Sequence, residues 1–313
     1  MAGIAITWTG SWKYFRRQVK LRAIAPKISY AMKCGGHATA IYWSFIMPET
    51  TASSTPNTTG GRPGVSTSVH TAAKEQTNAT GQPTVRRQFV SFSFYKLLPD
   101  FRRLPQSQQT QMLQQLVELV QKQDQHNMLL IPYSCVGTRP DVDIMFWKIS
   151  YDLDAIQEFT AAIHRLPVAG YLVQPFCYLA QSKRSTYVDK IDPAHDDTRT
   201  SIVPGKRKYI FVYPFVKTRE WYLLSKQTRQ GIMDEHIMVG NRYPSVKLNT
   251  TYSFGLDDQE FVVAFETDKP GDFLDLVQEL RETEGSRFTV RDTPIFTCVQ
   301  TPIENIVRQI AAV

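Results

Sequence analysis

The chain has 313 residues, 42% hydrophobic and 12% aromatic, which suits a packed core in one large domain or two small ones. Its net charge of +7 is concentrated: residues 1–84 hold nine Lys/Arg against two acids, while residues 85–313 hold 27 of each, so the body of the chain lacks the net-basic footprint of a nucleic-acid binder. Four scattered cysteines (Cys34, Cys135, Cys177, Cys298) with no CxxC pair argue against a zinc site or a disulfide framework, and no apolar run approaches the length of a membrane span.

Residues 1–48 are basic and free of acids. They read as an organelle transit peptide, as a disordered basic tail, or as an upstream start with Met47 the true beginning. Residues 49–84 are rich in Thr, Ser, Gly, Pro and Asn and cannot bury enough apolar surface to fold. The expectation is a disordered or targeting extension over 1–84, with the folded part starting near Val85.

From there the hydrophobic period switches regularly between two and 3.6. Gln88–Lys96 predicts a strand, and Pro105 opens a helix with Leu113, Leu116, Val117 and Val120 on one face. Met128–Val136 and Val142–Ile149 predict two strands around a turn at Gly137. A helix from Leu153 follows, and then a strand over Tyr171–Leu179. The order then repeats: strand Lys208–Val216, helix Ser225–Met238, strands Lys247–Phe254 and Gln259–Glu266, helix Asp268–Glu282 and strand Thr293–Val299. Tyr133-Ser-Cys-Val-Gly137 parallels Tyr252-Ser-Phe-Gly255. The predicted fold class is α+β, two tandem ferredoxin-like βαββαβ repeats at 85–180 and 207–313, joined by a polar segment at 181–206. Each repeat leaves one sheet face bare, and pairing the two buries it.

On the strand Tyr209–Lys217, alternation puts Tyr209, Phe211, Tyr213, Phe215 and Lys217 on one face and Ile210, Val212, Pro214 and Val216 on the other. Lys217 reads either as a lysine snorkelling from the strand end or as a cation meeting an anionic ligand beside Tyr213. His236 falls on the apolar side of its helix with Ile232. It reads as a satisfied core histidine or as a single axial ligand, because no second His, Cys or acid stands at zinc or non-haem iron spacing with it. No P-loop, Gly-x-Gly-x-x-Gly or Gly-x-Ser-x-Gly motif occurs.

Tyr213-Pro-Phe-Val-Lys217, Trp221-Tyr-Leu-Leu, His236 and Gly255-Leu-Asp-Asp258 together resemble the chlorite dismutase-like haem protein family, in its coproheme decarboxylase branch, over about residues 86–300. The resemblance implies two ferredoxin-like repeats forming a β-barrel, assembled as a homo-oligomeric ring, usually a pentamer. It implies His236 as the proximal ligand of iron, Tyr213 as the tyrosine that becomes a radical, and Lys217 and Arg199 on porphyrin propionates, with Trp221 in the same motif at the cofactor. The implied reaction is decarboxylation of two propionates of iron coproporphyrin III (coproheme) to vinyls, giving haem b with hydrogen peroxide as oxidant. Such an enzyme is cytoplasmic, or organellar if residues 1–48 are a transit peptide. The pattern departs from the family at Leu248, where chlorite dismutases carry a distal arginine and some decarboxylases a glutamine, so chlorite dismutation is not expected. Thr293-Pro294 stands where decarboxylases place a serine on a propionate. By approximate alignment, Glu284 is expected to orient His236 through its ring nitrogen. A porphyrin-binding protein without turnover is the alternative.

Overall fold

A computed structural model describes residues 76–77, 83–84, 86–187 and 201–311. Most of the extension expected at 1–84, and Arg199, lie outside the described residues. After a two-stranded pair at 76–77 and 83–84, the first long strand, β1 (Phe89–Leu97), is buried on both faces along most of its length. α1 (Gln106–Gln121) starts after Pro105, which fixes φ at its entry, and buries Leu113, Leu116, Val117 and Val120. β2 (Leu129–Ser134) and β3 (Ile144–Ser150) form an antiparallel pair. α2 (Leu153–His164) is capped by Asp152, whose side chain accepts the Asp154 amide, and β4 (Leu172–Gln181) follows.

The second half runs β5 (Tyr209–Lys217), α3 (Arg219–Leu223), α4 (Lys226–Asn241, capped by Ser225), β6 (Lys247–Tyr252), β7 (Phe261–Thr267), α5 (Pro270–Glu282), β8 (Thr289–Arg291) and β9 (Phe296–Gln300). A last helix, α6 (Ile303–Ile310), buries Ile303, Ile306, Val307 and Ile310. The sequence pattern had not resolved α3, β8 or α6. The first two are too short to show a period, and α6 finds its apolar partners only across the fold.

Strand order in the first half is β2-β3-β1-β4 and in the second β6-β7-β5-β9, the same arrangement twice and antiparallel throughout. The two sets join at two seams. β4 meets β6 through Gln181 and Tyr252, and β9 meets β2 through Val299–Ser134 and Gln300–Tyr133. The ladder therefore closes on itself, though only through one register pair at the first seam and two at the second. Gly137 and Gly255 turn the equivalent hairpins in the two halves, both with positive φ (81° and 74°). Glycine meets that demand without a Cβ penalty.

Three apolar clusters follow from the alternation. Val90, Phe92, Phe94, Met145 and Trp147 point inside the ring against Ile210, Val212, Val262, Ala264 and Phe296 of the other half. Each such side chain contributes roughly 1.5–3 kcal/mol when fully buried. Outside, α1, α2 and α6 cover the first half's sheet. Phe273 and Leu276 of α5 and Val239 of α4 pack on Phe211, Tyr213 and Phe265 of the second. None of the helices among the described residues is long and apolar enough to cross a membrane.

Candidate functional site

The two faces of β5 do different work. Ile210 and Val212 point into the ring, while Phe211 and Tyr213 point outward at α4 and α5. Tyr213 is 8% exposed and lies parallel to Phe265, ring centroids 6.1 Å apart. Burial pushes its phenol above the usual range, helped by the Asp292 carboxylate, so it stays protonated at neutral pH. Cross-strand register places Val263 opposite Tyr213 on β7, and Thr250 opposite Val263 on β6. Leu248 pairs with Phe265 in the same way. It shares this outer face and remains 39% exposed.

Lys217 ends β5 on the same face. Its Nζ donates to the Gly285 carbonyl at 2.9 Å and sits 4.4 Å from the centre of the Trp221 ring. That geometry is a cation–π contact. Trp221 is buried on α3, whose start is held by Thr218 accepting the Trp221 amide. No carboxylate forms an ion pair with Lys217 among the described residues. Burial lowers its ammonium to about 8, against a partial pull upward from Glu260. Glu260 holds the framework: one oxygen accepts the Lys217 amide at 2.8 Å and the Tyr222 hydroxyl at 2.5 Å.

His236 lies on the α4 face that buries Ile232 and Val239. Its Nδ1 is beside Gly285, where an added Cβ would stand 4.0 Å away. The 284–288 turn thus carries Lys217 on one side and His236 on the other. Burial, with Lys217 nearby, pushes the imidazole down to about 4. It is neutral at physiological pH and has a lone pair for a metal, which is the state a haem ligand needs. Glu284 does not fill the orienting role expected of it. Its carboxylate is more than half exposed, 3.9 Å from Arg287, and its amide donates to Glu235. The residue of this turn next to the imidazole is Gly285 instead.

The chain leaving β4 runs toward this face. Lys183 Nζ lies 5.4 Å over the Tyr252 ring, and Tyr187 is 6.2 Å from Trp221. Tyr187 carries no sequence motif. Its place follows from the β4–β6 seam, which only the fold reveals. The arrangement is therefore an apolar, aromatic outer sheet face with a protonated phenol, a cation without an ion-pair partner among the described residues, and a neutral imidazole. It fits a flat, anionic, iron-bearing ligand. Groups of three or more His, Cys, Asp or Glu able to hold a bare metal ion are absent among the described residues.

The fold is that of a known family: the chlorite dismutase model matches residues 109–301, and the chain belongs to the chlorite dismutase family. Among individual relatives, the chain is 32% identical over 193 residues to the coproheme decarboxylase of Mycolicibacterium smegmatis, covering 61% of this chain and 81% of that protein. It is 28% identical over 201 residues to the coproheme decarboxylase of Staphylococcus carnosus, covering 59% and 80%. A mutant chlorite dismutase from Candidatus Nitrospira defluvii superposes with a TM-score of 0.65 at 25% identity, covering 71% of this chain and 94% of that one. The α+β fold from two tandem repeats, read from the sequence, agrees with these neighbours.

Proposed function

We propose that the protein is a coproheme decarboxylase that uses hydrogen peroxide and a radical on Tyr213. The observation that carries the reading is the gathering of Tyr213, Lys217, Trp221 and His236 on one outer face, in a chain similar to two curated coproheme decarboxylases. The substrate is iron coproporphyrin III, with His236 as its iron ligand and Lys217 and Arg199 on its propionates. Lys217, which has no ion-pair partner among the described residues, offers its ammonium to one carboxylate, and Trp221 lies against that ammonium. Bound iron with peroxide would supply the two oxidising equivalents that each propionate needs. Tyr213, protonated and shielded from water, gives up an electron and its proton, and the phenoxyl then takes a hydrogen atom from the propionate β-carbon. The resulting carbon radical loses carbon dioxide and gives its second electron to the remaining oxidising equivalent, which leaves the vinyl. Each propionic acid side chain and one peroxide become a vinyl, carbon dioxide and two waters.

Mixing the purified protein with coproheme and peroxide should give haem b by chromatography. Tyr213→Phe should bind coproheme within about threefold of wild type and form at least 100-fold less product, as loss of a group acting only in the transition state does. Equal conversion by the variant would refute the radical role. Leu248 favours a second reading, porphyrin binding without turnover, because it puts a half-exposed apolar group on this face where the family resemblance implies an arginine or glutamine. A coproheme-induced absorption band with no product under peroxide would select it. The ring assembly implied by the family, a pentamer, is checked by light scattering.

A further inference from the structure

Two of the cysteines take no part in this site and do not depend on its reading. Cys135 and Cys298 are 0% exposed, 163 residues apart in the chain, and their sulfurs are 3.4 Å apart. One follows the end of β2 in the first half, and the other lies on β9 in the second. The register at that seam pairs Gln300 with Tyr133 and Val299 with Ser134, so Cys298 and Cys135 hold the next rung of the same ladder. Both point into the ring beside Phe296 and Tyr133. We propose that Cys135 and Cys298 are a disulfide-forming pair, oxidised by hydrogen peroxide, whose bond staples the β9–β2 seam.

The geometry needs little change. A disulfide sulfur–sulfur bond is about 2.05 Å, so the two sulfurs close by little more than 1 Å from where they stand. The seam itself is short, two register pairs wide, and is reinforced by the turn after Cys135. There the Thr138 hydroxyl contacts the carbonyls of Cys135 (2.9 Å) and Thr297 (2.7 Å), and Arg139 reaches the Ile295 carbonyl and lies 4.9 Å over the Phe296 ring. Burial keeps the Cys298 thiol protonated, which opposes reaction, while the Arg139 charge acts the other way. Oxidation therefore proceeds through opening of the 136–142 turn, where Val136 is already 40% exposed. One thiolate attacks a peroxide oxygen, the O–O bond breaks and a water leaves after protonation. The second sulfur attacks the resulting sulfenic acid, the S–O bond breaks and a second water leaves. Two thiol hydrogens and one peroxide become two waters and one S–S bond. Cys177, the third cysteine among the described residues, is exposed and next to Ser93 at 3.5 Å, away from this rung.

The test uses the full-length chain as purified, without porphyrin, treated with peroxide, quenched with catalase and then denatured. Titratable thiols should fall from four to two. A peptide map should join the Cys135 and Cys298 peptides with a loss of two hydrogens, and Tm should rise by about 5–10 °C and return on reduction. Cys298→Ser should keep all three of its thiols and show no rise in Tm. Four thiols surviving in the treated wild type would overturn the proposal, as would a cross-link through Cys34 or Cys177 in place of this pair. The wild-type map decides even if the serine variant folds poorly.

Discussion

At Lys217, desolvation and charge make a prediction that period-two alternation alone does not. With its ammonium lowered to about 8 in the free protein, a carboxylate that arrives beside it raises that value again. Between pH 8 and 10 the complex then binds more protons than the free protein does, so affinity for coproheme falls as pH rises through 8, by up to tenfold per unit. Calorimetric titration at pH 8.5 in two buffers of different ionisation enthalpy should show different binding enthalpies, and Lys217→Met should remove the difference. Identical enthalpies for the wild type would place the propionate elsewhere. Periodicity, two along β5 and 3.6 along α4, made legible which face Tyr213, Lys217 and His236 take; it left Lys217 and His236 open between a structural and a functional reading, and only the family resemblance proposed their roles. What the sequence hid was their neighbour. Gly285 stands 68 residues beyond Lys217, and nothing local announces that its carbonyl will meet that ammonium or that Glu284 will face solvent.

Elements repeat more faithfully than residues do. The parallel between Tyr133-Ser-Cys-Val-Gly137 and Tyr252-Ser-Phe-Gly255 marked two equivalent hairpins, and both glycines adopt positive φ. An added methyl at Gly255 would meet nothing within 4 Å, so Gly255→Ala isolates the backbone term. It should cost about 1–2 kcal/mol in denaturant unfolding. Gly170, equally uncrowded but without positive φ, should accept alanine within about 0.5 kcal/mol. The Gly255 turn also positions Asp257, whose carboxylate accepts the Leu179 amide at 2.8 Å and the Gln259 side chain at 2.9 Å. Strain there reaches the β4–β6 seam. α6 escaped notice for the opposite reason. Its apolar spacing is plain, but it is eight residues long, and only α1 and β2, far away in the chain, give it a surface to cover.

For the whole molecule, ring closure means that neither half owns its interior. Phe92 and Trp147 of the first half are packed with Val212 and Phe296 of the second. A chain cut by an engineered protease site at residues 190–195 should therefore elute as one species and unfold in one transition. Separation of the halves on a sizing column would contradict the shared core. The tandem repeat was legible in the sequence because local periods announce each unit. The two seams were not, since a single pair at Gln181–Tyr252 leaves no pattern in composition. The repeat also carries a consequence for stoichiometry. Two equivalent sheet faces imply two berths for a flat ligand, yet α6 lies against α1 and β2 and stoppers the first. At the matching place in the second half, beside α4 and over β6, the chain runs unhelical at 182–187 and leaves Leu248 open. On the proposed function one copy is a wall and the other a vessel, and a porphyrin titration should saturate at one equivalent per chain.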